Sequence, residues 1–149
     1  MTKKSINDMI RKLYDVTAEL RNLHTMTSVL GDGVNDVQLS SNFNLREFEC
    51  RHCGSAKVDP RLVKILQNIR DEVGGPIVIT SAYRCPTHNA NVRGAINSQH
   101  IEGTAVDIRS PKITLQELAT IAEKYVQNDG FGVYENHIHI DTRGYRARW

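Results

Sequence analysis

The segment SQHIEGTAVDI, residues 98–108, places one carboxylate inside an apolar run. Val106 and Ile108 are typical of a buried strand, yet Asp107 lies between them. A carboxylate that is buried without a partner is costly in free energy. The sequence therefore predicts a cationic or metallic partner for Asp107. His100 lies seven residues earlier, across a predicted glycine turn, and is the first candidate to share that partner.

A second segment, YENHIHID at residues 134–141, alternates apolar and polar residues. Read as one strand, its period of two puts Glu135, His137, His139 and Asp141 on the same face. Two histidines flanked by two carboxylates make a poor core surface and suit a metal.

These two segments together predict a metal site. If the two strands are neighbours, His100 and Asp107 converge with the histidine face of the second strand. Two imidazoles and one carboxylate leave a position for water, as in an open, catalytic zinc site. An H-x-H pair alone is weak support, since surface strands carry histidines for no chemical reason. Its combination with H-x6-D is much more specific.

The remaining pattern predicts an α+β domain. Helices are predicted over residues 59–75, with Asp59 as N-cap, and over residues 114–129, where Thr114 and Glu117 can form a capping box. The apolar segments 76–84, 103–110 and 130–144 predict strands of a small, largely antiparallel sheet with flanking helices.

The first 37 residues are predicted to be separate from this domain, which spans 38–149. An amphipathic helix is predicted over residues 5–30, and we favour its packing on the protein itself. The alternative is a short coiled coil or a tether, for self-association or for attachment to a virion. Its apolar seam consists of Met9, Leu13, Val16, Leu20, Leu23 and Leu30.

Composition excludes some classes of function. The net charge of +2 and the absence of a basic run argue against a nucleic-acid partner. No apolar stretch is long enough to span a bilayer, and the first residues lack the apolar region of a signal peptide. The basic segment RGYRARW, residues 143–149, is expected to be a solvated end.

Several segments resemble peptidase family M15, the zinc D-Ala-D-Ala carboxypeptidases, and its branch of small bacterial and phage murein peptidases. These are SQHIEGTAVDI with HIHID, LSSNFNLREFEC, GGPIVITSAYRCPTHN and GVYENHIHIDTRGYRARW. The resemblance covers residues 38–149. It implies a hedgehog/D-Ala-D-Ala-peptidase-like fold, a catalytic Zn²⁺, and peptidoglycan stem peptides as the substrate of a D,D-carboxypeptidase or an endopeptidase.

The resemblance also implies roles for single residues. His100, Asp107 and His139 match the zinc ligands. Arg84 matches an arginine that holds a carboxylate or carbonyl of the substrate, a task that suits a guanidinium fork. Ser98 matches a serine that hydrogen-bonds the substrate or orients the site.

The catalytic base departs from the family pattern. Many members have an acid three residues before the last ligand, where this chain has Asn136. We predict Glu135, one residue earlier, as the base, and His137 as the stabiliser of the transition state. Asn136 also keeps open a rival function, a zinc-containing module that binds wall peptides without cutting them. A third, weaker interpretation is a structural or assembly protein in which the N-terminal helix matters most.

The predicted substrate lies in the bacterial cell wall. Without a signal peptide, the protein is expected to be made in the cytoplasm and to reach the wall by phage-type release or as part of a virion.

The cysteines suggest a second metal site. Cys50 and Cys53 form C-x2-C, and Cys85 and His88 form C-x2-H, which are ligand types and spacings of a structural zinc site. The alternatives are three free thiols, or one disulfide between Cys85 and a member of the first pair.

Overall fold

The computed structural model describes residues 35–149, and the helix predicted over residues 5–30 lies outside this range. The predicted α+β class is confirmed for the described residues. The elements in chain order are a 3-10 helix (Leu45–Phe48), α1 (Pro60–Val73), β1 (Val78–Ser81), α2 (Pro86–Asn91), α3 (Gln99–Glu102), β2 (Ala105–Arg109), α4 (Leu115–Glu123), β3 (Gly130–Val133), β4 (Ile138–Asp141) and β5 (Ala147–Arg148).

The two long helices begin as the sequence predicts. The side chain of Asp59 accepts a hydrogen bond from the backbone N–H of Arg61 at the start of α1. Thr114 and Glu117 form the reciprocal bonds of a capping box at the start of α4. Gly74 ends α1 in the left-handed conformation, with φ of 58°.

The strands form one sheet in the order β1-β2-β4-β3-β5. Neighbouring strands are antiparallel except for β3 and β5, which are parallel. The pairing of β2 with β4 sets Asp107 opposite His139. The two segments singled out in the sequence are thus adjacent strands, and their register brings the predicted ligands together.

The apolar side chains of β2 and β4 enter the hydrophobic core. Val106, Ile108, Ile138 and Ile140 are fully buried there, with side chains from α1 and α4. Because side chains alternate along a strand, the intervening residues Asp107 and His139 point to the other face of the sheet. The core therefore lies on one face of these strands, and the polar site lies on the other.

The segment 134–141 is not one strand, as the alternation suggested, and that prediction was wrong. Strands β3 and β4 form a hairpin, closed by a hydrogen bond from the backbone N–H of Tyr134 to the carbonyl of His137. Glu135 and Asn136 lie at its tip, before β4 begins. The strand alternation therefore does not reach Glu135.

The expectation of a solvated end at residues 143–149 was wrong for the last strand, although Gly144, Tyr145, Arg146 and Trp149 are exposed. Ala147–Arg148 form β5, which pairs with β3. The guanidinium of Arg148 donates hydrogen bonds to the carbonyl oxygens of Val126 and Asp129 and to the carboxylate of Glu123. These bonds satisfy backbone groups after α4. Within residues 35–149, no helix is both long enough and apolar enough to cross a membrane.

Candidate metal centre

His100, Asp107 and His139 meet in a buried cluster. Each offers one ligand atom, and the three atoms lie within 4.8 Å of one another. Oδ1 of Asp107 is 3.3 Å from Nε2 of His100 and 2.9 Å from Nδ1 of His139. All three side chains are buried. The structure thus brings together the three residues that the sequence indicates as zinc ligands.

The short helix α3 presents His100. The hydroxyl of Ser98 caps this helix and accepts a hydrogen bond from the backbone N–H of His100, at 3.3 Å. Gly103 ends the helix with φ of 71°, and a Cβ there would lie 2.7 Å from the carbonyl oxygen of Lys57. Glycine is therefore required at this turn. This capping bond is the contact that the structure gives Ser98, and its role toward the site or the substrate stays a prediction.

Hydrogen bonds on the far side of each imidazole leave one nitrogen for a metal. Nδ1 of His100 lies 2.7 Å from the carbonyl oxygen of Ala82, so it donates there and leaves Nε2 free to act as a ligand. Nε2 of His139 lies 3.0 Å from the carboxylate of Asp141, which leaves Nδ1 facing Asp107. Metal-binding histidines usually have such a second partner, because it sets the tautomer and the ring orientation.

Asp141 is fully buried and forms an ion pair with Arg143. Nε and Nη2 of Arg143 donate to the two carboxylate oxygens, at 2.7 and 2.6 Å. Burial by itself would raise the pKa of Asp141, but Arg143 and His139 hold it well below its usual range. Asp141 therefore stays ionised and can hold the ring of His139 in place.

Asp107 has a second cationic partner in Arg84. Nη2 of Arg84 donates to Oδ2 of Asp107 at 2.7 Å, and Nε donates to the hydroxyl of Ser81 at 2.8 Å. Arg84 therefore orients a candidate metal ligand. The resemblance also implies that Arg84 binds the substrate. That role stays a prediction.

The charges in the cluster favour a cation. Burial would raise the pKa of Asp107, but hydrogen bonds with His100 and His139 hold it well below its usual range. Burial opposes protonation of His139, yet its hydrogen bonds with Asp107 and Asp141 raise its pKa above the ordinary value. The cluster thus attracts positive charge, and a bound metal ion would replace the proton.

His137 lies at the edge of the cluster, while Glu135 does not contact it. Nε2 of His137 is 3.8 Å from Oδ1 of Asp107, and Nδ1 is 2.7 Å from Oδ1 of Asn136. Glu135 is exposed and has no hydrogen bond or ion pair with any residue in the range 35–149. Asn136, which cannot act as a base, instead bonds the ring of His137.

An aromatic wall borders the cluster, and the sequence interpretation missed it. The ring of Trp149 lies 5.3 Å from that of His139, and its Nε1 donates to the hydroxyl of Tyr134 at 2.7 Å. Tyr134 stacks on His137 with ring centroids 4.6 Å apart. The sequence held one signal of this wall, the glycine at position 132 within a strand. In the structure, a Cβ at Gly132 would lie 2.4 Å from Nε1 of Trp149.

The predicted cysteine ligands form a second cluster. The sulfur atoms of Cys50, Cys53 and Cys85 lie within 4.8 Å of one another, and Nδ1 of His88 lies 3.3 Å from that of Cys50. A cleft of about 320 Å³ runs beside this cluster, between residues 46–54 and β1. Ser81 and Ala82, which bond Arg84 and His100, also line this cleft.

Similarity to known proteins extends over more than half of this chain. The probable peptidoglycan L,D-endopeptidase MepK of Haemophilus influenzae is 36% identical over 96 residues, which are 58% of this chain and 51% of that protein. The chain thus spans about half the length of this relative. A family model described as Peptidase M15 matches residues 37–141, a range that contains the whole His-Asp-His cluster. The protein belongs to peptidase family M15.

Proposed function

We propose that this protein is a zinc-dependent peptidase that hydrolyses a peptide bond in the stem peptides of bacterial peptidoglycan. Membership of peptidase family M15 supports the reaction, and the name of the MepK relative supports the substrate. One observation carries the proposal: the ligand atoms of His100, Asp107 and His139 converge in a buried cluster.

These residues fit a catalytic zinc ion. Two imidazoles and one carboxylate form a three-ligand set that leaves a further position open. Hydrogen bonds to Ala82 and Asp141 already set the tautomers of the two histidines as ligands need them. The chemistry that zinc supplies in such a site is Lewis acidity, which polarises a carbonyl and activates water at neutral pH.

Arg84 is proposed to hold the substrate beside this site. Its Nε and Nη2 are engaged by Ser81 and Asp107, so Nη1 is the nitrogen left for a carbonyl or carboxylate of the stem peptide. The bond to Asp107 fixes the guanidinium plane before substrate binds, which lowers the entropy lost on binding. Arg84 would thus couple substrate binding to the orientation of a zinc ligand.

Proton transfer is proposed for Glu135, which would take the proton of the water and pass it to the leaving amine, and charge stabilisation is proposed for His137. Hydrolysis adds water across the C–N bond, so the water must lose a proton and the leaving amine must gain one. Glu135 is proposed as the base, as an exposed carboxylate two residues from His137 with no partner within residues 35–149. His137, whose Nε2 faces Asp107, is proposed to stabilise the developing negative charge.

Between the two reactions that the family resemblance implies, we propose endopeptidase activity, as the name of the MepK relative suggests. An endopeptidase cuts within the stem or a cross-link, whereas a D,D-carboxypeptidase removes only a terminal residue. The site of action is then the bacterial cell wall. Release by a phage or placement in a virion, and a tether formed by residues 5–30, stay predictions.

The rival function is a module that binds wall peptides without cutting them. It is favoured by Asn136, which occupies the position where many family members have their acid. In the structure the side chain of Asn136 bonds the ring of His137. An orienting contact of this kind serves a catalytic histidine as well as a binding one, so activity must be measured.

The test is mass spectrometry of purified peptidoglycan after incubation with the zinc-loaded protein. We expect new fragments from cleavage within the stem or cross-link, at a rate that falls by at least about 10²-fold in Asp107→Asn. Asn keeps the shape of the side chain and removes the charge. Release of a single terminal residue would instead establish a carboxypeptidase.

The matched control is Glu102→Gln, which makes the same change from a carboxylate to an amide on an exposed side chain of α3 outside the cluster. This variant should leave the rate unchanged. Absence of any cleavage by folded, zinc-loaded protein, together with binding to the same peptidoglycan, would establish the rival function.

A further inference from the structure

The three cysteines of the chain come together from two distant segments. Cys50 and Cys53 lie in a turn that follows the 3-10 helix, and Cys85 is the N-cap of α2. Their sulfur atoms lie within 4.8 Å of one another, and all three thiols are free. Zn–S bonds of about 2.3 Å in a tetrahedron place sulfurs about 3.8 Å apart, so this spacing is close to that of a zinc site.

A histidine lies against one of the three sulfur atoms. Nδ1 of His88 lies 3.3 Å from the sulfur of Cys50, and His88 is half-buried in the first turn of α2. His52 is a weaker candidate, because it is exposed and its Nδ1 lies 3.5 Å from the sulfur of Cys85.

Backbone N–H groups already point at two of the sulfurs. The N–H of Cys85 donates to the sulfur of Cys50 at 3.3 Å, and the N–H of His88 donates to the sulfur of Cys85 at 3.4 Å. Outer hydrogen bonds of this kind orient metal ligands and stabilise their charge. A disulfide would join only two of the three sulfurs and leave the third without a partner of this kind.

We propose that Cys50, Cys53, Cys85 and His88 bind a second zinc ion, distinct from the one proposed at His100, Asp107 and His139. Four protein ligands fill a tetrahedral zinc ion and leave no position for water, so this site is structural. The ion closes a loop of more than 30 residues between Cys53 and Cys85, and a link of that span restricts the unfolded chain.

The second ion would hold one side of the active site. Arg84 precedes Cys85 directly, and its side chain bonds Asp107 while its backbone N–H bonds the carbonyl of His100. The N–H of Tyr83 bonds the carbonyl of Phe48, so the two segments already run together. A zinc ion bound by the cysteines would hold Arg84 against the His-Asp-His cluster without contacting the substrate.

The test is elemental analysis of the full chain, purified under reducing conditions. We expect two zinc ions per chain in the wild type, and the loss of one in Cys53→Ser, whose side chain is exposed and whose replacement is nearly isosteric. Asp107→Ala should lose the other ion and keep the cysteine-bound one. Equal zinc in Cys53→Ser and the wild type would overturn the proposal.

A second pair of variants tests the fourth ligand. We expect His88→Ala to weaken zinc retention against a chelator by at least 10-fold, while the matched His52→Ala retains the ion as the wild type does. The opposite result would overturn the assignment of His88.

Three measurements on the wild type, of cobalt absorption, thiol titration and intact mass, do not depend on the folding of a cysteine variant. Cobalt substitution should produce the thiolate-to-metal charge-transfer absorption in the near ultraviolet, and it should persist in Asp107→Ala. Titration of the thiols with an organomercurial should release one zinc ion per chain. An intact disulfide, seen as a mass two hydrogens lower, would overturn the proposal. Because Asp107→Ala removes only the first site, failure of the proposed peptidase function leaves these readouts unchanged.

Discussion

Asp107 is held by side chains from three different elements. Arg84, after β1, binds one carboxylate oxygen, while His100 on α3 and His139 on β4 lie against the other. Each of these contacts favours the ionised carboxylate and so offsets the cost of its burial. The charge in the middle of a buried strand is thus accounted for by partners from three separate segments, of which only that of His100 is near in sequence.

The role of Glu135 is the sharpest prediction at the scale of single residues. We expect Glu135→Gln to lower turnover by about 10²- to 10⁴-fold while the bound zinc is retained, because an amide cannot accept the proton of water. The measurement is turnover of a soluble stem peptide together with zinc content.

His137→Ala provides the comparison for Glu135→Gln. The structure gives His137 a place beside Asp107, whereas Glu135 lies at the exposed tip of the hairpin. Near-normal turnover of Glu135→Gln, with collapse of His137→Ala and zinc in place, would make His137 the base and contradict our assignment.

Strand β3 has two glycines at positions where any side chain would collide with groups of the site. Gly130 and Gly132 pair with Asp141 and His139 on β4. A Cβ on Gly130 would lie 2.3 Å from the carboxylate of Asp141, and one on Gly132 would lie 2.4 Å from the indole of Trp149. The two glycines thus make room for the carboxylate and the aromatic ring that support the histidine.

These glycines supply a matched pair of variants at the scale of an element. We expect Gly130→Ala to lower the free energy of unfolding by about 1–3 kcal/mol, because Asp141 is fully buried and bonded to Arg143, so it cannot give way. Gly132→Ala should cost less, because Trp149 is 48% exposed and its ring can move outward. Urea denaturation measures both.

The same pair of variants should separate the effect on stability from the effect on zinc binding. Displacement of Asp141 frees the ring of His139, so Gly130→Ala should also weaken zinc binding, by about 10- to 100-fold. Equal losses of stability in the two variants, with unchanged zinc affinity in Gly130→Ala, would show that the close approach of Gly130 to Asp141 has no such role.

At the scale of the whole molecule, the described residues build a hydrophobic core against one face of the sheet. Phe43 and Phe48 are fully buried in it with the helices and strands. Asn35 donates hydrogen bonds to the carboxylate of Glu49 and the carbonyl of Gly54, so the start of the described region is anchored to the domain. The predicted domain boundary near residue 37 stays a prediction.

A chain that begins at Asn35 tests that boundary. We expect it to unfold cooperatively and to hydrolyse soluble stem peptides at a rate within about twofold of the full chain, since the site and its supports lie within residues 35–149. Loss of cooperative unfolding on removal of residues 1–34 would show that they belong to the core.

The sequence by itself determined the features that depend on local pattern and spacing. The caps of α1 and α4 follow from residues within one turn of each helix, and the turn at Gly103 from the need for a left-handed residue. The alternation in β2 was enough to single out Asp107 as a charge in need of partners. These inferences hold because they require no knowledge of which strands are neighbours.

Only the tertiary structure decided the features that depend on strand order and on long-range pairing. The alternation of residues 134–141 is the same for one strand or for a hairpin turn followed by a strand. Only the pairing of β3 with β4 showed that Glu135 lies in the turn and not in a strand. The place of Trp149 beside His139 and the meeting of Cys85 with Cys50 likewise join groups whose approach is set by packing of the whole chain. No local pattern encodes those distances, because each depends on the sheet order β1-β2-β4-β3-β5 and on the segments packed around it.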